Sequence, residues 1–452
     1  MKLLVANRGE IATRVIRAAT ELGVETVAVY SEADAGARHV VIATESVLIG
    51  PPPATQSYLN MDAIVAAAHA SGADAIHPGY GFLAENAAFA QRCIDEGIRF
   101  VGPDARAISL MGDKAAARGT AVSAGVPVVP GTEGGVASVA EAERASERIG
   151  FPLLIKAAAG GGGRGIKIVH DAASLADEMT MAQTEARAAF GDDAVYLEKF
   201  IAPARHIEVQ VFGDGLDAVH LYERECSLQR RRQKLIEEAL APGLPEDVRR
   251  EMYSAAVALS QAVSYEGAGT VEFLVDQNTN EFFFIEMNTR IQVEHPVTEL
   301  VCGVDLVREQ LHQANGRNRS LDQMTSTPRG AAIEMRINAE DPDNDFFPSP
   351  GTITGMELPM GPGVRISTAV TAGSEVSPYY DSLIAKIIVW DVDRPAAVRR
   401  AKRAMGELLV EGVKTTAPLI VDLLQTPEMA DGVYDTGFVE RWLDSRQEGP
   451  QP

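Results

Sequence analysis

The chain has 452 residues, of which 41 are lysine or arginine and 63 are aspartate or glutamate, giving a formal net charge of −22. This length is enough for two or three domains, and a hydrophobic content of 46% is typical of a folded globular protein rather than a disordered one. Such an acidic balance repels polyanions, which argues against nucleic acid as a partner.

Cysteine usage and hydropathy indicate the compartment. Cys93, Cys226 and Cys302 are widely spaced and form neither a disulfide framework nor a zinc-binding pattern, which favours the reducing cytoplasm. No stretch of about 18 apolar residues is present, so we expect no membrane span and no membrane partner.

The first hundred residues alternate between strand and helix patterns. "KLLVA" predicts a strand, "IATRVIRAATELG" a helix that closes on a glycine, and "VETVAVY" a second strand. Helix "MDAIVAAAHAS", strand "ADAIHPG", helix "NAAFAQRCIDEG" and strand "IRFVGP" follow. This alternation predicts a parallel α/β sheet that ends near residues 110–114.

Later segments predict different architecture. Over residues 115–200, strands "FPLLIKAAA", "GIKIVH" and "AVYLEKFI" indicate a small α+β module with a mobile hairpin at its tip. From residue 204 onward, strands "RHIEVQVFGD", "TVEFLVD" and "EFFFIEMN" are followed by a helical stretch. Two more strands, "AAIEMRINAE" and "DSLIAKIIVW", complete the pattern.

Two segments could bind phosphate. "GGGGRG" at 160–165 could bring backbone N–H groups close to phosphate oxygens, and Lys156 before it needs an anionic partner at the end of an apolar strand. The segment fits neither a Walker A loop nor a Rossmann fingerprint, and the alternative is a surface hairpin. "NRGE" near the N-terminus is a weaker signal, since it has one glycine.

"CSLQRRRQKLIEEA", residues 226–239, is strongly basic and contains Arg230, Arg231, Arg232 and Lys234. One interpretation is a solvated charged loop, neutralised on the surface by the Glu237–Glu238 pair. The other is a local positive pocket for phosphate or bicarbonate in an otherwise acidic protein.

Two apolar strands carry acids that suggest a magnesium site. Glu272 lies within "TVEFLV", and Glu286 and Asn288 share one face of "FFFIEMN" because strands have a period of two. If the strands are neighbours, these oxygens can meet at one Mg²⁺. The alternative is salt bridges to Arg290 or to nearby arginines.

"TRIQVEH" follows that strand and places Arg290, Gln292 and Glu294 at alternating positions. A cation, an amide and a carboxylate that point one way predict a pocket for a small oxyanion with a base beside it. Glu294–His295 is not a zinc motif, because HExxH is absent.

Seven separated motifs together resemble the biotin carboxylase family, the ATP-grasp component of the acetyl-CoA, propionyl-CoA and pyruvate carboxylases. They are "ANRGEIATRVIRA", "HPGYGFLAEN", "MGDK", "GGGGRG", "EMNTRIQVEHPVTEL", "RINAEDP" and "PYYDSLIAKI". The resemblance runs from about residue 3 to about residue 445. It implies a doubly wound N-terminal domain (1–113), a mobile ATP-grasp lid (114–203), an ATP-grasp core (204–330) and a C-terminal domain (331–446).

The resemblance also implies ligands for these residues. ATP phosphates would meet Lys114, Lys156 and the Gly162–Gly163 backbone, and the nucleoside would meet Glu198, Lys199, Ile201, His206, Gln229 and Leu274, with Arg232 near the ribose. Glu272, Glu286 and Asn288 would hold Mg²⁺ or Mn²⁺. Bicarbonate would lie on Lys234, Arg290, Gln292 and the Val293 backbone, with Glu294 as base. Arg336 would stabilise the biotin enolate, with Tyr80 and Asp381 on the biotin side.

The sequence departs from the family pattern at two positions. Arg232 stands where members often carry His or Asn, and Leu240 stands where many read Pro in "EEAP". We expect neither to abolish the chemistry.

The sequence has no recognisable attachment site for biotin. No Met-Lys-Met tripeptide is present, so biotin is expected on a carrier protein or on another part of a longer polypeptide. The resemblance further implies a carboxyltransferase partner and a homodimer, and it leaves the acyl acceptor open. Another ATP-grasp ligase and a non-catalytic nucleotide-binding protein remain as alternatives. The "TRIQVEH" and "RINAEDP" pair argues against the first, and the presence of every lysine and acid of the pattern argues against the second.

Overall fold

The computed structural model describes residues 1–132, 134–157, 166–190, 194–317, 321–323 and 327–447. Its N-terminal region is an α/β layer with strands β1 (Lys2–Val5), β2 (Glu25–Ser31), β3 (Glu45–Gly50), β4 (Ala75–His77) and β5 (Arg99–Phe100). The helices are α1 (Gly9–Glu21), α2 (Arg38–Ile42), α3 (Met61–Ser71), α4 (Ala87–Asp95) and α5 (Ala105–Gly112).

These strands form one parallel sheet in the order β3-β2-β1-β4-β5. Each crossover passes through helical turns, and the inner strands β2, β1 and β4 are apolar runs because both faces of the sheet are covered there. Asn60, Asn86 and Asp104 cap the N-termini of α3, α4 and α5 with their side chains. The predicted parallel α/β sheet is confirmed.

A small α+β module follows. It contains α6 (Lys114–Ser123), α7 (Val139–Ile149), β6 (Leu153–Ala157), β7 (Ile166–Val169), α8 (Leu175–Phe190) and β8 (Val195–Lys199). Its antiparallel sheet has the order β7-β6-β8. The predicted hairpin tip, including "GGGGRG", lies outside the described residues.

The central region supplies the strands β9 (Ala204–Asp214), β10 (Ala218–Arg230), β11 (Gln233–Ala239), β12 (Glu266–Asp276) and β13 (Phe282–Asn288). Helix α9 (Glu246–Ala262) lies between β11 and β12, and α10 (His295–Cys302) and α11 (Leu306–Ala314) follow β13. Within the described ranges, no helix is both long and apolar enough to cross a membrane.

The C-terminal region adds strands β14 (Ala331–Asn338), β15 (Glu340–Asp341), β16 (Phe347–Pro348), β17 (Gly351–Thr352), β18 (Gly355–Glu357), β19 (Val364–Thr368), β20 (Glu375–Val376), β21 (Leu383–Asp391) and β22 (Leu409–Glu411). Its helices are α12 (Arg394–Glu407), α13 (Ala417–Gln425), α14 (Pro427–Asp431) and α15 (Phe438–Gln447).

One sheet of eight strands joins the central and C-terminal regions, in the order β13-β12-β9-β10-β11-β14-β21-β19. The predicted division between residues 330 and 331 therefore falls between strands of a single sheet, and a domain boundary there remains a prediction. Along β14, Ile333, Met335 and Ile337 pack into an apolar core, while Arg336 and Asn338 alternate with them and line a cleft.

Candidate active site

The cleft has a volume of about 1120 Å³ and is lined by strands of the three-stranded and eight-stranded sheets, by the N-terminus of α1 and by the loop after β4. Glu294 is fully buried beneath its wall. Gly162 and Gly163 lie outside the described residues. All other predicted site residues line this one cleft: Tyr80, Lys114, Lys156, Glu198, Lys199, Ile201, His206, Gln229, Arg232, Lys234, Glu272, Leu274, Glu286, Asn288, Arg290, Gln292, Val293, Arg336 and Asp381.

The candidate metal ligands come from two adjacent strands. Glu272 on β12 is the register partner of Glu286 on β13, and Asn288 Nδ2 donates to Glu272 Oε1 at 2.9 Å. Desolvation in the cleft and repulsion from Glu272 raise the pKa of Glu286. Two neighbouring carboxylates with an amide oxygen form a hard-oxygen donor set, and a divalent cation would relieve the repulsion.

The alternative of a salt bridge to Arg290 is not what this part of the structure shows. Arg290 donates to Glu85 Oε2 at 2.9 Å and to Asn288 Oδ1 at 3.0 Å. Glu272 is paired instead with His206 Nε2 at 3.0 Å and Lys234 Nζ at 3.2 Å. Burial opposes ionisation of Glu272, yet these two cationic neighbours lower its pKa.

Glu294 is held between two cations. Lys234 Nζ lies 2.6 Å from its Oε1, and Arg336 Nη2 lies 2.8 Å from its Oε2. Burial alone would raise the pKa of this carboxyl, but Lys234 and Arg336 hold it well below its usual range. The group is therefore an ionised carboxylate in a fixed orientation.

Residues 226–239 are not a surface loop but the facing halves of β10 and β11, joined by a turn at Arg231 and Arg232. Arg230 and Arg231 both pair with Asp345, at 2.5 and 3.0 Å. Exposed Arg232 lines the cleft. Lys234 faces the carboxylates of Glu208, Glu272 and Glu294 at the cleft. The interpretation of this segment as a positive pocket therefore fits better than that of a solvated charged loop.

The expected surface role of the Glu237–Glu238 pair is wrong. Both side chains are buried, because β11 lies inside the eight-stranded sheet. Glu237 pairs with Arg336, and Glu238 accepts two hydrogen bonds from Arg394 at 2.7 and 2.8 Å. Burial raises the pKa of Glu237 to about 7, with Arg336 acting in the opposite direction.

Arg290 and Gln292 meet as the sequence pattern predicts, although residues 289–292 form no regular strand. Arg290 Nη1 donates to Gln292 Oε1 at 2.8 Å, and both side chains face the cleft. Glu294, two residues on, points to the buried side, where Lys234 and Arg336 reach it. The three groups thus surround one small space from different directions rather than from one strand face.

One part of the cleft contains Lys156 and Glu198, which form an ion pair between neighbouring strands β6 and β8. This is the anionic partner that Lys156 requires. Lys199 Nζ donates to the Phe151 carbonyl at 2.8 Å. Lys114 opens helix α6, whose N-cap is the Asp113 side chain.

Another part of the cleft is formed by Tyr80 and Asp381. The Tyr80 hydroxyl donates to Glu10, and Asp381 accepts from the Leu383 amide at 2.8 Å. Residues of the "NRGE" segment also line the cleft, but Arg8 pairs there with Asp34 at 2.7 Å.

Sequence reasoning missed several charged groups of the site: Glu10, Glu208, Glu237 and Lys386. Glu208 is fully buried and pairs with Lys234 at 2.7 Å and with Arg224 at 2.5 Å. The available signal was an ionisable residue inside an apolar strand, as in "RHIEVQVF" and "SLIAKIIVW".

Comparison with known proteins places three family models along the chain. The model for the biotin carboxylase N-terminal domain matches residues 1–108, and that for the biotin carboxylase C-terminal domain matches residues 334–441. Between them, residues 113–323 match the ATP-binding domain of the carbamoyl-phosphate synthase L chain.

Individual proteins match over nearly the whole chain. Biotin carboxylase 1 of Bacillus subtilis is 51% identical over 442 residues, covering 98% of each chain. The biotin carboxylase of Pseudomonas aeruginosa is 50% identical over 444 residues, and the match again covers 98% of each chain.

A solved structure supports the same assignment. It is the biotin carboxylase domain dimer of Hydrogenobacter thermophilus 2-oxoglutarate carboxylase, in complex with MgADP, ADP and bicarbonate. It is 48% identical, with a TM-score of 0.88 and 97% of each chain covered. The chain therefore belongs to the biotin carboxylase family, whose members are ATP-dependent enzymes that carboxylate biotin.

Proposed function

We propose that this chain catalyses the first half-reaction of a biotin-dependent carboxylase, in which biotin on a carrier protein is carboxylated through carboxyphosphate. The observation that carries the proposal is the buried Glu294, ionised between Lys234 and Arg336 and adjacent to the Arg290–Gln292 pair. A fixed carboxylate among three cationic groups matches a small oxyanion that must lose a proton.

The strength of Glu294 as a base depends on what its cations touch. In the structure, Lys234 and Arg336 hold its pKa well below its usual range, which makes it a weak base. Bicarbonate bound on Lys234 and Arg290 would compete for the Lys234 ammonium and so raise the basicity of Glu294. Substrate binding therefore activates the base that the substrate needs.

The remaining cleft residues fit phosphoryl transfer. Lys114 and Lys156 would contact the ATP phosphates, and Glu198, Lys199, Ile201, His206, Gln229, Arg232 and Leu274 the nucleoside. Glu272, Glu286 and Asn288 would hold Mg²⁺ or Mn²⁺, which when bound neutralises charge on the phosphates. The deprotonated bicarbonate oxygen attacks the γ-phosphorus, and ADP leaves.

Carboxyphosphate then breaks to CO₂ and phosphate, and the phosphate takes the proton from the biotin nitrogen that attacks CO₂. Arg336 would stabilise the biotin enolate, with Tyr80 and Asp381 beside it. Because Arg336 also contacts Glu294, the base and the enolate-stabilising cation lie within one hydrogen bond of each other. The enclosed cleft would limit access of water to the unstable intermediate.

We further propose a biotin carrier protein and a carboxyltransferase as partners, a homodimeric state, and a cytoplasmic location. The homodimeric state is supported by the similar biotin carboxylase domain of 2-oxoglutarate carboxylase, whose structure is a dimer. Cys93, Cys226 and Cys302 are free thiols, which suits a reducing compartment. The net charge of −22 supports the absence of nucleic acid among the partners.

The test is ADP release by the purified chain with Mg²⁺ and ATP, with and without bicarbonate and free biotin. We expect biotin to stimulate ADP release and the stimulation to disappear when bicarbonate is removed. Turnover that is indifferent to biotin, both free and on an added carrier protein, would contradict the proposal and favour a different ATP-grasp ligase.

A further inference from the structure

Two cations face each other across neighbouring strands at the cleft, Arg336 in its wall and Lys386 fully buried. Arg336 on β14 and Lys386 on β21 are register partners, and the Lys386 side chain has no solvent exposure. Like charges directly opposite each other repel, and a buried lysine is costly unless its donors are satisfied. Each of the two side chains must therefore hold a group that compensates for its burial.

The two cations hold adjacent residues of one segment. Arg336 Nη2 contacts the Glu294 carboxylate at 2.8 Å, and Lys386 Nζ donates to the Val293 carbonyl at 2.6 Å. Immediately before them, the Gln292 carbonyl accepts from His295 Nδ1 at 2.7 Å. Three consecutive residues, 292–294, are thus each held by a hydrogen bond or an ion pair to a side chain outside the three. We call this stretch the anchored segment.

Anchoring a carbonyl fixes a whole peptide plane, because the peptide bond is rigid. The Gln292 carbonyl shares its plane with the Val293 N–H, and the Val293 carbonyl shares its plane with the Glu294 N–H. His295 therefore sets the direction of the first plane and Lys386 that of the second. The second plane determines where the Glu294 side chain begins.

Lys386 is itself held from the N-terminal region. Its ammonium lies 2.9 Å from Glu10 Oε1 on α1, and the Tyr80 hydroxyl donates to the same oxygen. Glu334, on the same face of β14, is also fully buried, but neither of its carboxyl oxygens has a hydrogen-bond partner. Among the described residues, Glu10 is the carboxylate that forms an ion pair with Lys386.

We propose that Lys386, held by Glu10, is a positioning residue for bicarbonate: it fixes the Val293 carbonyl and with it the anchored segment. This inference rests on the proposed function, since it assigns bicarbonate to that segment. Lys386 touches neither substrate nor reacting atoms, so it acts only through Val293 and Glu294.

The first test needs no substrate. Hydrogen–deuterium exchange is followed by mass spectrometry on the full chain and on the Lys386→Met variant, which removes the ammonium and preserves the shape of the rest of the side chain. We expect amides of the peptide covering residues 291–296 to exchange about tenfold faster in the variant. The matched control is Arg249→Met, which removes another cation from a buried pair, with Glu223, outside the cleft.

The second test uses steady-state ADP release. Lys386→Met should raise the KM for bicarbonate about tenfold or more while changing the KM for ATP less than about twofold. Glu10→Gln keeps the shape of the side chain and should move the bicarbonate KM in the same direction by a smaller factor. If Lys386→Met does not fold, Glu10→Gln is used in its place.

Unchanged exchange at 291–296 with an unchanged bicarbonate KM in a folded variant would overturn the assignment. So would equal increases in both KM values, which would indicate a general structural role. A wild-type chain with no bicarbonate-dependent turnover would refute the proposed function instead, and the exchange experiment would still report whether Lys386 anchors the segment.

Discussion

Glu294 has to satisfy two opposing requirements. Its burial would leave an unpaired charge at high cost, so the fold supplies Lys234 and Arg336. The same pairing lowers its basicity. Under the proposed mechanism, Glu294 acts as a base only when bicarbonate draws the lysine away, so reactivity would be conditional on substrate.

Glu294→Gln should retain ATP binding and lose bicarbonate-dependent ADP release by about a hundredfold or more, because the variant removes a base and preserves side-chain shape. ATP binding is measured by calorimetry and turnover by ADP release. Glu238→Gln, a buried acid paired with Arg394 outside the cleft, is the control. Turnover in Glu294→Gln close to that of the control would remove Glu294 from the role of base.

For single residues, the sequence predicted which side chains need a charged partner better than it predicted which residue supplies that partner. The need of Lys156 for an anion could be read from its place on an apolar strand, and Glu198 meets it. The partners of Lys234 are Glu208, Glu272 and Glu294, and Lys386 is paired with Glu10 in the first helix. Periodicity shows which face a side chain takes but not which distant side chain comes to meet it.

Strand pairing creates the candidate metal site. Register places Glu272 opposite Glu286, and the sequence predicted this meeting on the condition that the strands are neighbours. The order β11-β14-β21 could not be read in the same way, because about 90 residues separate β11 from β14 and about 45 separate β14 from β21. The sequence therefore left a surface position for Glu237 open as one interpretation, whereas β14 pairs with β11 and Glu237 is buried.

Glu286→Gln should raise the Mg²⁺ concentration that gives half-maximal ADP release by about tenfold, since one of two anionic ligands is lost. The side chain is exposed to the cleft, so the fold should tolerate the change. Glu281→Gln, exposed just before β13, is the control. An unchanged Mg²⁺ requirement would contradict the metal assignment.

Gly213→Ala should destabilise the central sheet by about 1–3 kcal/mol, because an added Cβ would lie 2.0 Å from the Tyr265 carbonyl oxygen. Gly119→Ala on α6 meets no atom within 4 Å and should be neutral or stabilising. Urea denaturation followed by circular dichroism measures both. Equal stability of the two variants would show that β9 and the start of β12 can separate without cost.

For the whole molecule, buried histidines connect stability to pH. Burial lowers the pKa of His39 and of His77 to about 4, whereas an unfolded histidine titrates near 6.5. A lowered folded-state pKa means that the stabilisation is fully present above pH 6.5 and is lost as pH falls towards 4. Acidification should therefore unfold the chain progressively over this window.

Between pH 7 and pH 5, the free energy of unfolding of His77→Gln should fall by about 2 kcal/mol less than that of the wild type, because glutamine does not titrate. Exposed His69→Gln is the control and should keep the wild-type slope. The measurement is the urea midpoint of all three chains at both pH values. If the wild type and His77→Gln lose equal stability between the two pH values, His77 does not contribute to the pH dependence of unfolding.

The Glu10–Lys386 pair has a consequence for biosynthesis. It joins the first helix to a strand formed almost at the end of the described chain, and the cleft is lined by residues from Asn7 to Thr436. A nascent polypeptide that has not yet released β21 from the ribosome leaves Glu10 without its ammonium and Val293 without its donor. We therefore expect catalytic competence to be acquired late in translation, after β21 has emerged, rather than region by region.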